Sequence, residues 1–267
     1  MITASQNTKV KYVRKLAQGN FRRKERKLVA EGIRLVEEAA LSNWTMEALF
    51  YTLEAAESER VARIIERAET KGANLYPVSE QIMVEMAGTE TPQGILAVLW
   101  QPDYALADVL PPGLPALVVV VDGIQDPGNL GTIVRSADAA GATGVILLKG
   151  TVDLYNQKVI RSTMGSLFHM PVVTAGDIED SLEYLISTGL KLLIGDPVKG
   201  GPIFEEDLSI PIGIVVGNEG MGPRDEVLAV SHKKVNIPMP GRAESLNVAM
   251  AASIMLYEAV RQRYKIQ

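Results

Sequence analysis

The chain has 267 residues, 47% apolar and 22% charged, with a net charge of −5, the balance of a folded protein with room for two ordinary domains. It has no cysteine and only His169 and His232, which excludes disulfides, thiolate metal sites, cysteine nucleophiles and a histidine-rich metal centre. No apolar run approaches the ~18 residues needed to span a bilayer, and no apolar stretch follows the polar, basic N-terminus, so a cytoplasmic protein is expected.

The first 34 residues carry ten Lys/Arg and two acids, a balance of +8 that leaves −13 for the rest. This is a local basic surface on an acidic body, and it admits RNA contact as well as a merely solvated helix face. Along the first hundred residues the pattern predicts helices at Lys9–Gln18 and Gly32–Ala40, a strand at Met46–Tyr51 and a charged helix at Glu54–Lys71. A strand at Asn74–Val78, a helix at Glu80–Met86 and a strand at Gly94–Trp100 follow, making a small α/β module. Residues 101–115 contain four prolines and one glycine and read as a linker.

Beyond the linker, Ala116–Val121, Gly144–Leu148, Leu190–Ile194 and Pro211–Val216 are apolar throughout, as parallel strands covered on both faces are. Helices are expected at Asn129–Ala140, Ile178–Ser187 and Leu246–Arg263. The last carries an apolar stripe of Val248, Ala252, Met255, Leu256, Ala259 and Val260. The fold class is therefore α/β with a mainly parallel C-terminal sheet.

Ligands of such sheets bind at the carboxyl ends of strands, and three polar, glycine-rich segments follow predicted strands. In Asp122–Arg135, Asn129 and Arg135 are expected to project near one another from the first turns of a helix, although a capping Asn and a surface Arg would look the same. In Gly217–Pro223, three glycines surround Glu219, which fits either a ligand contact or a tight turn; neither GxGxxG nor a P-loop is present. In Ile237–Val248, Ser245 reads as the N-cap of the last helix, which leaves the polar Asn247 unexplained. His169 has no second histidine nearby and reads as packed or hydrogen-bonded, and there is no GxSxG elbow.

These three segments, DGIQDPGNLGTIVRSADAAG, IGIVVGNEGMGP and VNIPMPGRAESLNVAMAASIMLYEAVRQR, closely resemble the three ordered motifs of SpoU-type RNA methyltransferases, a branch of the SPOUT superfamily. The resemblance covers residues 116–263. It implies a catalytic domain over 116–267 with a deep trefoil knot, against the general rule of unknotted chains. It also implies a homodimer through that domain and S-adenosylmethionine as cofactor, held by Gly217, Ile237 and Leu246. Asn129, Arg135, Glu219, Ser245 and Asn247 match the catalytic and RNA-positioning residues. Arg135 would either handle the proton of the ribose 2′-hydroxyl or stay charged as an anchor, because a guanidinium ordinarily titrates above ~12.

Residues 2–39 resemble the start of the L30e-like substrate-binding domain found ahead of many such catalytic domains. This assigns residues 1–100 to RNA binding, with Lys9, Lys11, Arg22, Arg23 and Lys24 as phosphate contacts. The expected activity is ribose 2′-O-methylation of RNA, ribosomal rather than transfer RNA, with no metal and no membrane partner. A non-enzymatic RNA-binding or ribosome-assembly protein is the alternative.

Overall fold

The computed structural model describes residues 1–264 apart from 197, 219, 221 and 231. The chain forms two compact units, one of residues 1–103 with 153–169, the other of 104–152 with 170 onward.

The first unit opens with α1 (Thr8–Leu16), whose Val10, Val13 and Leu16 are buried at helical spacing. The next two elements are absent from the sequence reading: α2 (Gly19–Glu25) and β1 (Lys27–Glu31). Arg26 joins them in the left-handed conformation with φ 51°. The charged run from Arg22 to Lys27 conceals a strand that is buried along its whole length. Then come α3 (Ile33–Leu41), β2 (Met46–Tyr51), α4 (Leu53–Ala56), α5 (Glu59–Thr70), β3 (Asn74–Pro77), α6 (Glu80–Met86) and β4 (Ile95–Trp100). The single helix expected over Glu54–Lys71 is broken at Glu57 and Ser58, where α4, capped by the Thr52 hydroxyl, ends and a new N-cap begins. The sheet order is β1-β4-β2-β3, with β4 antiparallel to both neighbours and β2 parallel to β3. Val10, Val13 and Leu16 join Phe50, Ile82, Met83, Leu96 and Val98 in one core.

Arg22, expected on an RNA surface, is 4% exposed. Its Nη1 donates to the carbonyls of Leu16 and Ala17 at 2.9 and 3.1 Å, and its Nη2 meets Asp153 at 2.5 Å. It satisfies the open carbonyl end of α1, so the phosphate-contact assignment is corrected at this residue; Lys9, Lys11, Arg23 and Lys24 are exposed.

The second unit contains β5 (Leu117–Asp122), α7 (Pro127–Ala139) and β6 (Gly144–Leu147). The chain then supplies α8 (Gln157–Thr163) to the first unit and resumes with β7 (Val172–Thr174), α9 (Ile178–Ser187), β8 (Lys191–Gly195) and β9 (Gly201–Pro202). It ends with β10 (Ile212–Gly217), α10 (Asp225–Ala229), β11 (Lys233–Asn236) and α11 (Val248–Arg263). Seven parallel strands follow the order β7-β6-β5-β10-β8-β11-β9. The central strands β5 and β10 are buried at every residue, as their unbroken apolar runs require. Residues 101–115 include a 3-10 turn at Leu106–Val109, whose Val109 is buried in the second unit's core. The elements missed in the sequence are short: β11, for example, buries only Val235.

The end of α11 is fastened by Arg263. Its guanidinium donates to four carbonyls: Leu208 at 2.7 Å, Pro115 at 2.8 Å, Ala116 at 3.1 Å and Ile210 at 2.6 Å. These belong to the segments leading into β5 and β10, so one side chain ties the last helix to the start of both central strands. Burial lowers the Arg263 pKa from its ordinary value, while Asp207 acts in the opposite direction. Arg263→Ala is expected to destabilise the second unit by about 2–4 kcal/mol in urea denaturation, and Arg263→Lys to recover only part, since an ammonium lacks the planar fork. An unchanged midpoint for Arg263→Ala would show that the four bonds carry no net stability.

Candidate active site

The carboxyl ends of β8, β10 and β11 and the start of α11 enclose a cavity of about 660 Å³. Gly217, Ile237 and Leu246 all line it, together with Ser245 and Asn247. Gly217 ends β10, and a Cβ there would lie 2.1 Å from the Pro223 nitrogen. Only glycine lets the loop fold back so closely on the strand end. A second close approach occurs at Gly200, where a Cβ would lie 2.3 Å from the Val235 carbonyl carbon.

The start of α11 differs from expectation. Asn247, not Ser245, is the N-cap: its Oδ1 accepts from the amides of Ala249 at 2.9 Å and Met250 at 3.3 Å. Ser245 is exposed on the cavity wall. The other end of the Asn247 amide donates from Nδ2 to Oδ1 of Asn129 at 3.0 Å. One side chain thus starts one helix and orients a polar group on another.

Asn129 lies in the first turn of α7, whose N-cap is Asp126, accepting from the Asn129 amide at 2.7 Å. Farther along, the Ser136 and Ser253 hydroxyls meet at 2.7 Å between α7 and α11. Arg135 lies six residues farther along the same helix. Six residues place it about 9 Å along the helix and about 120° around it. It is exposed and has no hydrogen-bond or ion-pair partner among the described residues. Glu219 lies outside the described residues.

The loop walls are set by three polar residues that sequence reading passed over. Asp122 ends β5 with 1% exposure and accepts from the Arg224 amide at 2.8 Å and its Nε at 2.7 Å, with Nη2 also in contact. Asn218 Nδ2 donates to the Gly123 carbonyl at 3.0 Å, while its Oδ1 accepts from the Gly220 amide at 2.9 Å. Asp196 accepts from the amides of Val198 and Lys199 at 3.0 and 2.9 Å and pairs with Lys234 at 3.3 Å. Burial raises the Asp196 pKa, but those two amides and the Lys234 ammonium outweigh it and hold the carboxyl below the usual range. That contribution is present above the unfolded-state pKa and is lost as pH falls through the lower folded value. The one available signal was a carboxylate closing a run of four valines at Asp122.

The cavity suits a nucleoside-sized ligand held by backbone. It is lined at Gly195, Gly217, Gly220 and Gly222, where main-chain groups can approach a ligand, and apolar at Val216, Leu228 and Met255. The capping role of Asn247 predicts a split between two variants. Asn247→Ala should lower the stability of the second unit by about 1 kcal/mol in urea denaturation, and Asn247→Asp should retain it, because aspartate caps as well. Equal loss in both would contradict the capping assignment.

Comparisons with known proteins agree with this geometry. Residues 116–257 match the SpoU rRNA Methylase family and residues 7–97 an MRM3-like substrate binding domain. The chain is 38% identical over 256 residues to the Bacillus subtilis 23S rRNA (guanosine(2553)-2′-O)-methyltransferase RlmP, covering 96% of this chain and 97% of that one. It is 33% identical to a 23S rRNA (uridine(2479)-2′-O)-methyltransferase of Streptomyces viridochromogenes, covering 93% of this chain and 87% of that one. The AdoMet-bound rRNA methyltransferase of Sinorhizobium meliloti superposes with a TM-score of 0.89 at 32% identity, over 99% of this chain and 98% of that one. A large parallel sheet ending in a glycine-walled cavity, both family matches and near full-length similarity converge: the chain belongs to the SpoU rRNA methylase family and is an S-adenosylmethionine-dependent RNA 2′-O-methyltransferase.

Proposed function

We propose that the chain methylates a ribose 2′-hydroxyl in large-subunit ribosomal RNA, with residues 116–267 as the catalytic domain, residues 1–100 as an L30e-like substrate-binding domain and residues 101–115 as the connection. The observation that carries this reading is the coincidence of Gly217, Ile237, Leu246, Ser245 and Asn247 on one cavity, with Asn129 joined to it through Asn247. Gly217, Ile237 and Leu246 would hold S-adenosylmethionine, which supplies a methyl group already activated on a sulfonium.

The residues around the cavity position the acceptor. Asn247 and Asn129 form a fixed amide pair that can orient the ribose, with Ser245 beside them. Positioning of this kind supplies much of the rate of a group transfer. Arg135 is set to engage the RNA phosphate and stabilise the developing alkoxide as a charged anchor. Glu219 belongs to the same proposed set by its place in the second motif.

A trefoil knot in this domain is proposed from the resemblance of its three motifs to the SpoU-type enzymes. A homodimer is supported by α11, which exposes Met250, Ile254 and Tyr257 while burying Ala252, Met255 and Ala259. The helix is apolar on more of its circumference than its own unit covers, not along a single stripe. Light scattering should give twice the chain mass at micromolar concentration; a monomer would contradict the dimer. No helix is long and apolar enough among the described residues to cross a membrane; action in the cytoplasm is proposed from the ribosomal RNA substrate of the relatives.

Two experiments test the reading. Mapping of ribose methylation in cells lacking the chain should show loss at a large-subunit rRNA nucleotide; rRNA methylated as before would contradict the assignment. Arg135→Ala should reduce methyl transfer by at least about 100-fold with S-adenosylmethionine affinity and oligomeric state unchanged. Arg135→Lys should retain partial activity if charge alone matters. Near wild-type transfer by Arg135→Ala would remove this residue from the mechanism.

A further inference from the structure

The first unit contains another cavity, of about 410 Å³, that the chemistry above does not use. It lies at the end of the four-stranded sheet where β1, β2 and β3 begin and β4 finishes, with Lys9 and Tyr12 of α1 on its wall. Its polar residues are placed by specific backbone features. The pairing of β2 with β4 jumps from Met46 to Ala48, so Glu47 is the extra residue of a β-bulge, a device that re-aims a side chain. The Glu47 carboxylate meets the Lys27 ammonium at 2.7 Å. Lys27 is only 7% exposed, and its Nζ lies 4.2 Å from the Trp100 ring centroid and 5.3 Å from that of Tyr12. The Tyr12 hydroxyl donates to Glu25 at 2.8 Å. Tyr76 packs against Phe50 with ring centroids 5.1 Å apart, and the ammonium of exposed Lys9 sits 5.0 Å from its ring.

Stability alone does not favour this arrangement, since an apolar pair of similar volume is often as stable as a buried ion pair. Aromatic faces beside cations, next to an exposed basic helix, are the elements with which proteins hold unstacked nucleic-acid bases. The carboxylates of Glu25 and Glu47 can accept from a base amino group and disfavour an acidic peptide.

We infer that this cavity receives one unstacked base of the substrate RNA, stacked on Tyr76 and reached from a backbone held by Lys9 and Lys11. On binding, the Lys9 ammonium passes from the Tyr76 ring to the phosphate. The inference rests on RNA being the substrate and adds a subsite that positions it.

The test uses the full chain and a fluorescein-labelled single-stranded RNA of about twelve nucleotides, long enough to fill one such groove, followed by anisotropy across a salt series. Tyr76→Ala should weaken binding about tenfold or more at every salt concentration, and Tyr76→Phe should bind like wild type. The slope of log affinity against log salt should not change for Tyr76→Ala, because stacking releases no counterions. Lys11→Ala with Lys24→Ala should flatten that slope. A wild-type circular dichroism spectrum and a single cooperative unfolding transition in Tyr76→Ala certify the fold. A second readout needs no variant: RNA carrying 4-thiouridine should photo-crosslink the wild-type peptide containing Tyr76. Wild-type affinity in Tyr76→Ala, or crosslinks confined to other peptides, would overturn the inference while leaving the RNA reading intact. Failure of the wild-type chain to bind the oligonucleotide or ribosomal RNA at all would instead sink the RNA reading itself.

Discussion

The active site depends on one side-chain amide. Asn247 ends an irregular segment, starts α11 by accepting two backbone N–H groups, and points its remaining donors at Asn129 on α7. Capping fixes which end of the amide faces the helix, and this determines what the other end offers. The entry angle of α11, the position of Ser245 and Leu246 on the cavity wall and the orientation of Asn129 are therefore coupled. A residue that would serve as an ordinary helix cap is also the link between the cavity and Asn129.

In the proposed arrangement around that link, backbone holds the cofactor and side chains position the RNA. The strand ends of a parallel sheet present main-chain groups to a common edge, and glycines at 195, 217, 220 and 222 leave room for a ligand to reach them. Carboxylates stabilise the loops: buried Asp122 binds Arg224, and half-buried Asp196 binds two amides and Lys234. Under the proposed roles, cofactor binding should tolerate change at Arg135 whereas methyl transfer should not.

Long apolar runs were readable in the sequence because β5 and β10 are buried on both faces, and such strands leave an unbroken run of valine and isoleucine. The three motif loops were readable as well, since glycine and polar residues directly after such strands are rare without a reason. What escaped were features decided by tertiary packing. Nothing local distinguishes Asn247 from Ser245 as the cap, since both residue types are good N-caps. Arg22 looked like its exposed neighbours, yet its role depends on Asp153, more than a hundred residues away. β1 and β11 carry lysines that are neutralised by Glu47, Glu206 and Asp196, so their charge hid their strand character. The bulge at Glu47 exists only in the register between β2 and β4.

The central claim is that main-chain groups at the ends of β8, β10 and β11 hold S-adenosylmethionine. Amide hydrogen exchange with and without S-adenosylmethionine reads those groups directly. The account predicts added protection in peptides spanning 195–200, 216–224 and 236–251, with residues 1–100 unchanged. Protection absent from these segments, or confined to the first hundred residues, would contradict it.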